Sequence, residues 1–225
     1  MSAHEPLVTT QRSKLRRRPD RGSTDRRVID AILDEALVCH VGFLDEGEPV
    51  VIPSSPWRIG GWLYLHGAVN SRLIRHVASG APVCISVALV DGLVLARSAM
   101  RHSTNYRSTV LFGRGELVEA AADKTAALMR LIDKMSPGRS GAVRPPDAKE
   151  LAATGVVRVA IVEGSAKVRA APPTEVEKDK PWTVWTGTVP VALLAGSPLA
   201  AMEETDGAPP GVPSWLAKDW PLQTT

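Results

Sequence analysis

His66-Gly67-Ala68-Val69-Asn70-Ser71-Arg72 is the stretch whose residue types best suit anion binding. A strand-like run ends at His66, Gly67 permits a sharp turn, and Ser71 and Arg72 fall in the first turn of a short helix. At such a place backbone N–H groups and the helix dipole face an anion. A serine hydroxyl can donate there, and an arginine can grip two phosphate oxygens. The same residues also suit a capped helix with a surface arginine, and the motif alone leaves both open.

Ala99-Met100-Arg101-His102-Ser103-Thr104-Asn105-Tyr106-Arg107-Ser108 is the second candidate. A plain connection uses Gly, Pro, Asn or Asp for backbone reasons. This one carries Arg101, His102, Ser103, Asn105, Tyr106, Arg107 and Ser108 instead, a set suited to a planar, polar-edged or anionic ligand or to a solvated hairpin end. Lys167 and Arg169 alternate on a strand and share one face, as exposed strands also do. Trp182 and Trp185, in a Thr-rich setting, suit either packing or covering a flat ring.

Other chemistries are absent from the pattern. There is no His-Glu-x-x-His, no Cys-x-x-Cys and no Gly-x-Ser-x-Gly. His40, His76 and His102 have no partner spacing, so metal binding by side chains is not expected, and no catalytic residue is assigned. Cys39 and Cys84 lie inside apolar runs and read as buried reduced thiols.

The elements that must position these groups are short. The 225 residues are 44% hydrophobic and 23% charged, those of an ordinary soluble domain. Residues 1–27 hold eight Lys/Arg against three Asp/Glu, a local +5, while the remainder is −2. The net +3 therefore belongs to a basic arm and not to a binding face, and nucleic-acid binding is not favoured. No apolar run approaches the ~18 residues of a membrane span, and the N-terminus has no signal-peptide apolar region. No membrane association and a cytoplasmic location are expected.

Residues 1–22 read as a flexible basic arm, and a helix starts near Asp25 with Val28, Ile29, Ile32, Leu33 and Ala36 as its apolar stripe. Leu37–Leu44, Pro49–Ser54 and Trp62–His66 read as strands joined by turns at Asp45–Glu48 and Arg58–Gly61. A short helix follows Ser71. Pro82–Leu89 and Leu93–Arg97 read as a hairpin turning at Asp91-Gly92, and Val110–Val118 resumes as a strand. A helix over Asp123–Lys134, a loop over Ser136–Pro146 and a brief helix capped by Asp147 precede strands at Val156–Val162 and Ser165–Arg169. Residues 193–225, with Trp215 and Trp220, read as an extended tail. Six to eight hairpin-linked strands with about three short helices predict a mainly β fold, an antiparallel barrel with peripheral helices.

Several ordered blocks resemble one family. Tyr64-Leu65-His66-Gly67-Ala68…Ser71-Arg72, Leu93-Val94-Leu95-Ala96-Arg97-Ser98-Ala99 and His102-Ser103-x-Asn105-Tyr106-Arg107-Ser108 are similar to the pyridoxamine 5′-phosphate oxidase-like flavin-nucleotide-binding proteins. Pro137-Gly138-Arg139, Glu150-Leu151, Ala166–Arg169 and Trp185-x-Gly187-x-x-Pro190 continue the match, over about residues 15–192. The resemblance implies a split β-barrel domain over residues 23–192 that forms a homodimer, with a flavin, usually FMN, at the subunit interface. It also implies that Pro53, Ser54, Ser55, Leu65 and His66 line the flavin ring and ribityl chain. Ser71 and Arg72 would hold the phosphate, Arg107 and Ser108 would contact the flavin from the next strand, and Trp185 would come from the other subunit.

One block departs from the family. True pyridoxamine phosphate oxidases close with an Arg-x-His element, whereas Trp185-Thr186-Gly187-Thr188-Val189-Pro190 is followed by Val191-Ala192-Leu193-Leu194. The expected function is therefore a flavin-dependent oxidoreductase acting on a small molecule other than a B6 vitamer. A flavin carrier or redox sensor, a haem-binding or haem-degrading protein, and FAD in place of FMN are the alternatives.

Overall fold

The computed structural model describes residues 5–200 and 211–217. Ten strands are present: β1 (Gly22–Ser23), β2 (Cys39–Asp45), β3 (Glu48–Ser54), β4 (Trp57–Ile59), β5 (Trp62–Ala68), β6 (Pro82–Leu95), β7 (Ser103–Leu117), β8 (Thr154–Ala160), β9 (Glu163–Arg169) and β10 (Gly187–Pro190). Four helices accompany them: α1 (Arg26–Glu35), α2 (Arg72–Ala78), α3 (Ala121–Met135) and α4 (Ala148–Ala153).

The named strands pair antiparallel in the order β3-β2-β6-β7-β8-β5-β4. β7 organises this sheet: β6 follows one of its sides, while β9 and then β8 share the other. β1 extends β9, and β10 pairs with the end of β6.

Alternation along the strands builds the core. Cys39, Val41 and Phe43 of β2 and Val83, Ile85 and Val87 of β6 point inward, joined by Leu63 and Leu65 of β5. α1 brings Ile29, Ile32 and Leu33 to this core, each 0–1% exposed. Burying such side chains contributes about 1.5–3 kcal/mol apiece. Its cap, Asp25 accepting from Arg27 N at 2.8 Å, contributes nearer ~1 kcal/mol, so the apolar face holds α1 in place. A smaller cluster of Trp57, Tyr64, Val118, Ala127, Leu131 and Val156 fills the space under α3.

One lysine joins three elements. Lys134, in the last turn of α3, donates from Nζ to the carbonyls of Leu33 at 3.0 Å, Ala36 at 2.7 Å and Pro56 at 2.7 Å. The first two are orphan carbonyls at the end of α1. Burial pushes the Lys134 ammonium down to about 8.

The structure differs from the sequence expectation at Asp91-Gly92. These residues do not turn; they form a register shift between Val90 and Gly92 inside the continuous strand β6. β7 on one side and β10 on the other hold that ladder, so local turn preference is overridden. The reversal comes later, at a 3₁₀ turn over Ala99–Arg101, and β7 begins at Ser103, well before Val110. The cap expected at Asp147 is present and forms a full capping box, with Asp147 accepting from Glu150 N at 2.9 Å and Glu150 from Asp147 N at 2.8 Å.

The arm, over its described part, lies along β9. Val8 N donates to Val162 O at 2.8 Å, and Ser165 Oγ donates to Ser13 O at 3.1 Å. Arg12 pairs with Glu163 at 2.5 Å and stacks on Phe112 at 4.9 Å. That arginine holds the Glu163 carboxyl down at about 2. Of the tail, Gly211 accepts from Ser136 Oγ at 2.7 Å, and Trp220 lies outside the described residues.

Candidate functional site

The barrel has a split. β4 pairs with β5 only as far as Trp57↔Tyr64, so Leu65–Ala68 keep one edge without a ladder partner. β3 pairs only with β2, leaving its other edge open too. Just Ser55 and Pro56 separate β3 from β4, so the two open edges flank one gap.

Side chains around this gap alternate as β5 requires. Leu63 and Leu65 enter the barrel core, while Tyr64 and His66 face the layer under α3. Leu65 is fully buried. Trp57 stacks on Tyr64 at 5.7 Å and meets His66 edge-on at 5.7 Å and 66°. His66 is half-buried, and desolvation lowers its pKa, which leaves the imidazole neutral at pH 7. Its Nδ1 and the indole Nε1 of Trp57 are buried with no hydrogen-bond partner.

The gap runs toward α2. Ser71 is the N-cap, its Oγ accepting from Ile74 N at 3.4 Å. Arg72 is half-exposed, and its one ion pair, to Asp45 at the end of β2, is long at 3.6 Å. α2 lies close on β8 because residue 155 is glycine: an added Cβ would come within 2.4 Å of Ile74 Cγ2. Pro53 and Ser54 end β3, Ser55 lies in its link to β4, Leu65 and His66 lie on β5, and Ser71 and Arg72 open α2.

Arg107 and Ser108 lie elsewhere. Arg107 pairs with Leu89 across the sheet, while α2 ends beside Pro82 and Arg114 at the other end of that ladder. Seven residues of strand, roughly 23 Å, separate Arg107 from Arg114. Arg107 is also engaged: it donates to both oxygens of Asp91 at 2.8–3.2 Å and pairs with Glu35 at 2.9 Å. Those carboxylates raise its already high pKa. Ser108 Oγ donates to Lys167 O at 3.2 Å. Within one chain the structure does not bring these two residues to Ser71 and Arg72.

The other candidates are mostly structural in their contacts. Lys167 donates to Arg17 O at 2.9 Å. Arg169 donates to Asn105 Oδ1, to Ala171 O at 2.8 Å and to Pro172 O at 3.2 Å. Arg101 lies 3.6 Å from Asp179, and Arg97 donates to Trp182 O at 2.8 Å, holding the C-terminal segment against the β6–β7 turn. Trp182 and Trp185 are exposed at 61% and 64%, so neither is a core residue of this chain.

Trp57 and Lys134 are the site's neighbours that sequence reading passed over. The first depends on the Trp57↔Tyr64 register, which no local pattern shows. Nothing in the local pattern marks the second.

An antiparallel split barrel with this order of blocks defines the class. The family model for pyridoxamine 5′-phosphate oxidase matches residues 25–168, and the chain belongs to that family. Among solved structures, the flavocytochrome Anf3 from Azotobacter vinelandii is 34% identical, with 94% of this chain and 98% of that one covered and a TM-score of 0.83. The FAD and haem binding protein from Mycobacterium smegmatis is 35% identical, with 88% and 96% covered and a TM-score of 0.79. No curated protein matches the sequence.

Proposed function

We propose that the protein is a flavin-nucleotide-binding redox protein of the flavocytochrome kind. The likeness to the Azotobacter flavocytochrome, over nearly the whole of both chains, is the observation that carries this reading. FAD is favoured over FMN, because the Mycobacterium relative is an FAD and haem binding protein.

The residues at the split fit a flavin. An open edge with a neutral, half-buried imidazole beside it suits a flat, polar-edged ring, and an exposed arginine stands at its end. Backbone and side chains of Pro53, Ser54, Ser55, Leu65 and His66 would border the ring. Ser71 and Arg72 would hold a phosphate, Arg72 by exchanging its long contact with Asp45 for charge-assisted bonds. Arg107, Ser108 and Trp185 would reach a flavin only from a second copy, consistent with a homodimer. Leu44, Val51 and Val90, exposed at 63, 64 and 49% on neighbouring strands, suit such an interface. A bound flavin supplies one- and two-electron transfer at its ring. The chain contributes binding, orientation and a neutral imidazole beside it.

Haem is the second reading, supported by both relatives. His102 fits an axial role best. Its Nδ1 lies 3.1 Å from Ser98 O, a contact that would orient the ring and leave Nε2 for iron. The domain doing this work would span residues 23–192. No helix among the described residues is long and apolar enough to cross a membrane, in keeping with a cytoplasmic site of action.

The test is the absorption spectrum of the purified full chain, with acid-released cofactor run against FMN and FAD standards. Flavin and haem bands are expected, the haem band lost in His102→Ala. A protein that binds neither on reconstitution would overturn the proposal.

A further inference from the structure

Two buried polar atoms in the split have no partner: Trp57 Nε1 and His66 Nδ1. Their rings meet edge-on at 5.7 Å and 66°. Tyr64 apart, the other side chains of that cluster, Val118, Ala127, Leu131 and Val156, are apolar and offer no acceptor. An indole N–H can only donate, whereas an imidazole nitrogen donates or accepts according to its tautomer. If Nδ1 carried the proton, two rings in contact would each bury an unmet donor. If Nδ1 is bare, the rings are complementary, a donor on Trp57 and an acceptor on His66, and a direct or water-bridged bond would meet both.

From this geometry we infer that Trp57 is a positioning residue that fixes His66 as its Nε2–H tautomer. The imidazole then presents a hydrogen-bond donor, not a bare nitrogen, to whatever occupies the split. The ligand atom it meets must be an acceptor, such as a ring carbonyl or imine nitrogen of a flavin or a carboxylate of a small acid. An iron would need the bare nitrogen, so His66 is excluded as an axial haem ligand. Only the identity of the occupant rests on the flavin proposal; the tautomer does not.

The test is a long-range ¹H–¹⁵N correlation spectrum of the ring nitrogens in the full chain carrying ¹⁵N-histidine. The His66 signals are identified by their loss in His66→Gln. The Nε2–H pattern is expected, and an Nδ1–H pattern overturns the inference whatever the variants do. Trp57→Phe keeps an aromatic ring but removes the donor, and the spectrum should shift toward a tautomer mixture. An unchanged spectrum would acquit Trp57 of the role.

Flavin titration supplies a separate readout. Gln places an amide N–H near the Nε2 position, so His66→Gln should keep affinity within about threefold. His66→Leu should lose about tenfold, the scale of one hydrogen bond. Equal losses in both would overturn the donor role. A wild-type chain that takes up no flavin would defeat the proposed function while leaving the spectrum to decide the tautomer.

Discussion

Lys134→Met removes the ammonium that ties α3 to the end of α1 and to the β3–β4 connection. Three buried carbonyls, of Leu33, Ala36 and Pro56, lose their donor. Each loss costs about 1–3 kcal/mol, or roughly 6 kcal/mol in all at the middle of that range. Against this stands relief from burying the charge. The ammonium sits at about 8 instead of 10.5, a penalty of roughly 3 kcal/mol at neutral pH that methionine does not carry. The expected net destabilisation is therefore about 3 kcal/mol, read as a lower urea midpoint at unchanged slope. pH sharpens the test. The folded value lies below the unfolded one, so between pH 8 and about 10.5 the unfolded chain binds more protons. Wild-type stability should rise with pH through that window, and the gap to Lys134→Met should widen. A variant as stable as wild type at pH 7, with no widening above pH 8, would refute the reasoning.

Arg72→Ala should weaken flavin binding by about 1.5–3 kcal/mol, the scale of a bond to a charged group, while the urea midpoint barely moves because its ion pair is exposed and long. Unchanged affinity would remove Arg72 from the phosphate site. Arg107→Ala leaves Asp91 and Glu35 without their shared cation, and a loss of about 1–2 kcal/mol of stability is expected after allowance for partial exposure. Flavin affinity falling in the same variant would mean that a second copy does deliver Arg107 to the cofactor. Glu163→Gln loosens the arm, and trypsin should then cut at Arg16–Arg18 several-fold faster; equal rates would show that Arg12 and Glu163 do not hold it. In the wild type the stabilisation from Glu163 should be lost as pH falls from 4.5 toward about 2, because its carboxyl is held low only when folded.

Periodicity made the core legible. Ile29, Ile32 and Leu33 on one helical face, and Leu63 and Leu65 on alternate strand positions, are buried as their spacing requires. Family likeness in ordered blocks made the split barrel legible, which periodicity alone left as a generic antiparallel barrel. What stayed hidden was decided by distant partners. Asp91-Gly92 has turn chemistry, yet β7 and β10 pin it inside a strand, and the β10 partner of Gly92 is Pro190, 98 residues further along the sequence. Arg107 looked like a ligand contact because its two carboxylates, Glu35 and Asp91, lie on a helix and a bulge that no local pattern links to it. The N-cap at Ser71 was visible because it is local. The Trp57–His66 contact was not, because it depends on the register of β4 against β5.

The strap of N-terminal residues over β9 has a consequence for how the chain comes to be folded. Gly22 pairs with Lys167 and Ser13 receives its bond from Ser165, so these arm residues must wait for partners made 145 to 152 residues later. During synthesis at ~5–20 residues per second, that wait is on the order of ten seconds or more. Once β7 is made and until β9 follows it, the side of β7 that β9 will cover is an unpaired edge. Long-range closure of this kind is slow and exposes the growing chain to pairing with its neighbours. The basic character of the arm is then useful before it is structural: a cluster of like charges keeps nascent chains apart until residue 167 arrives.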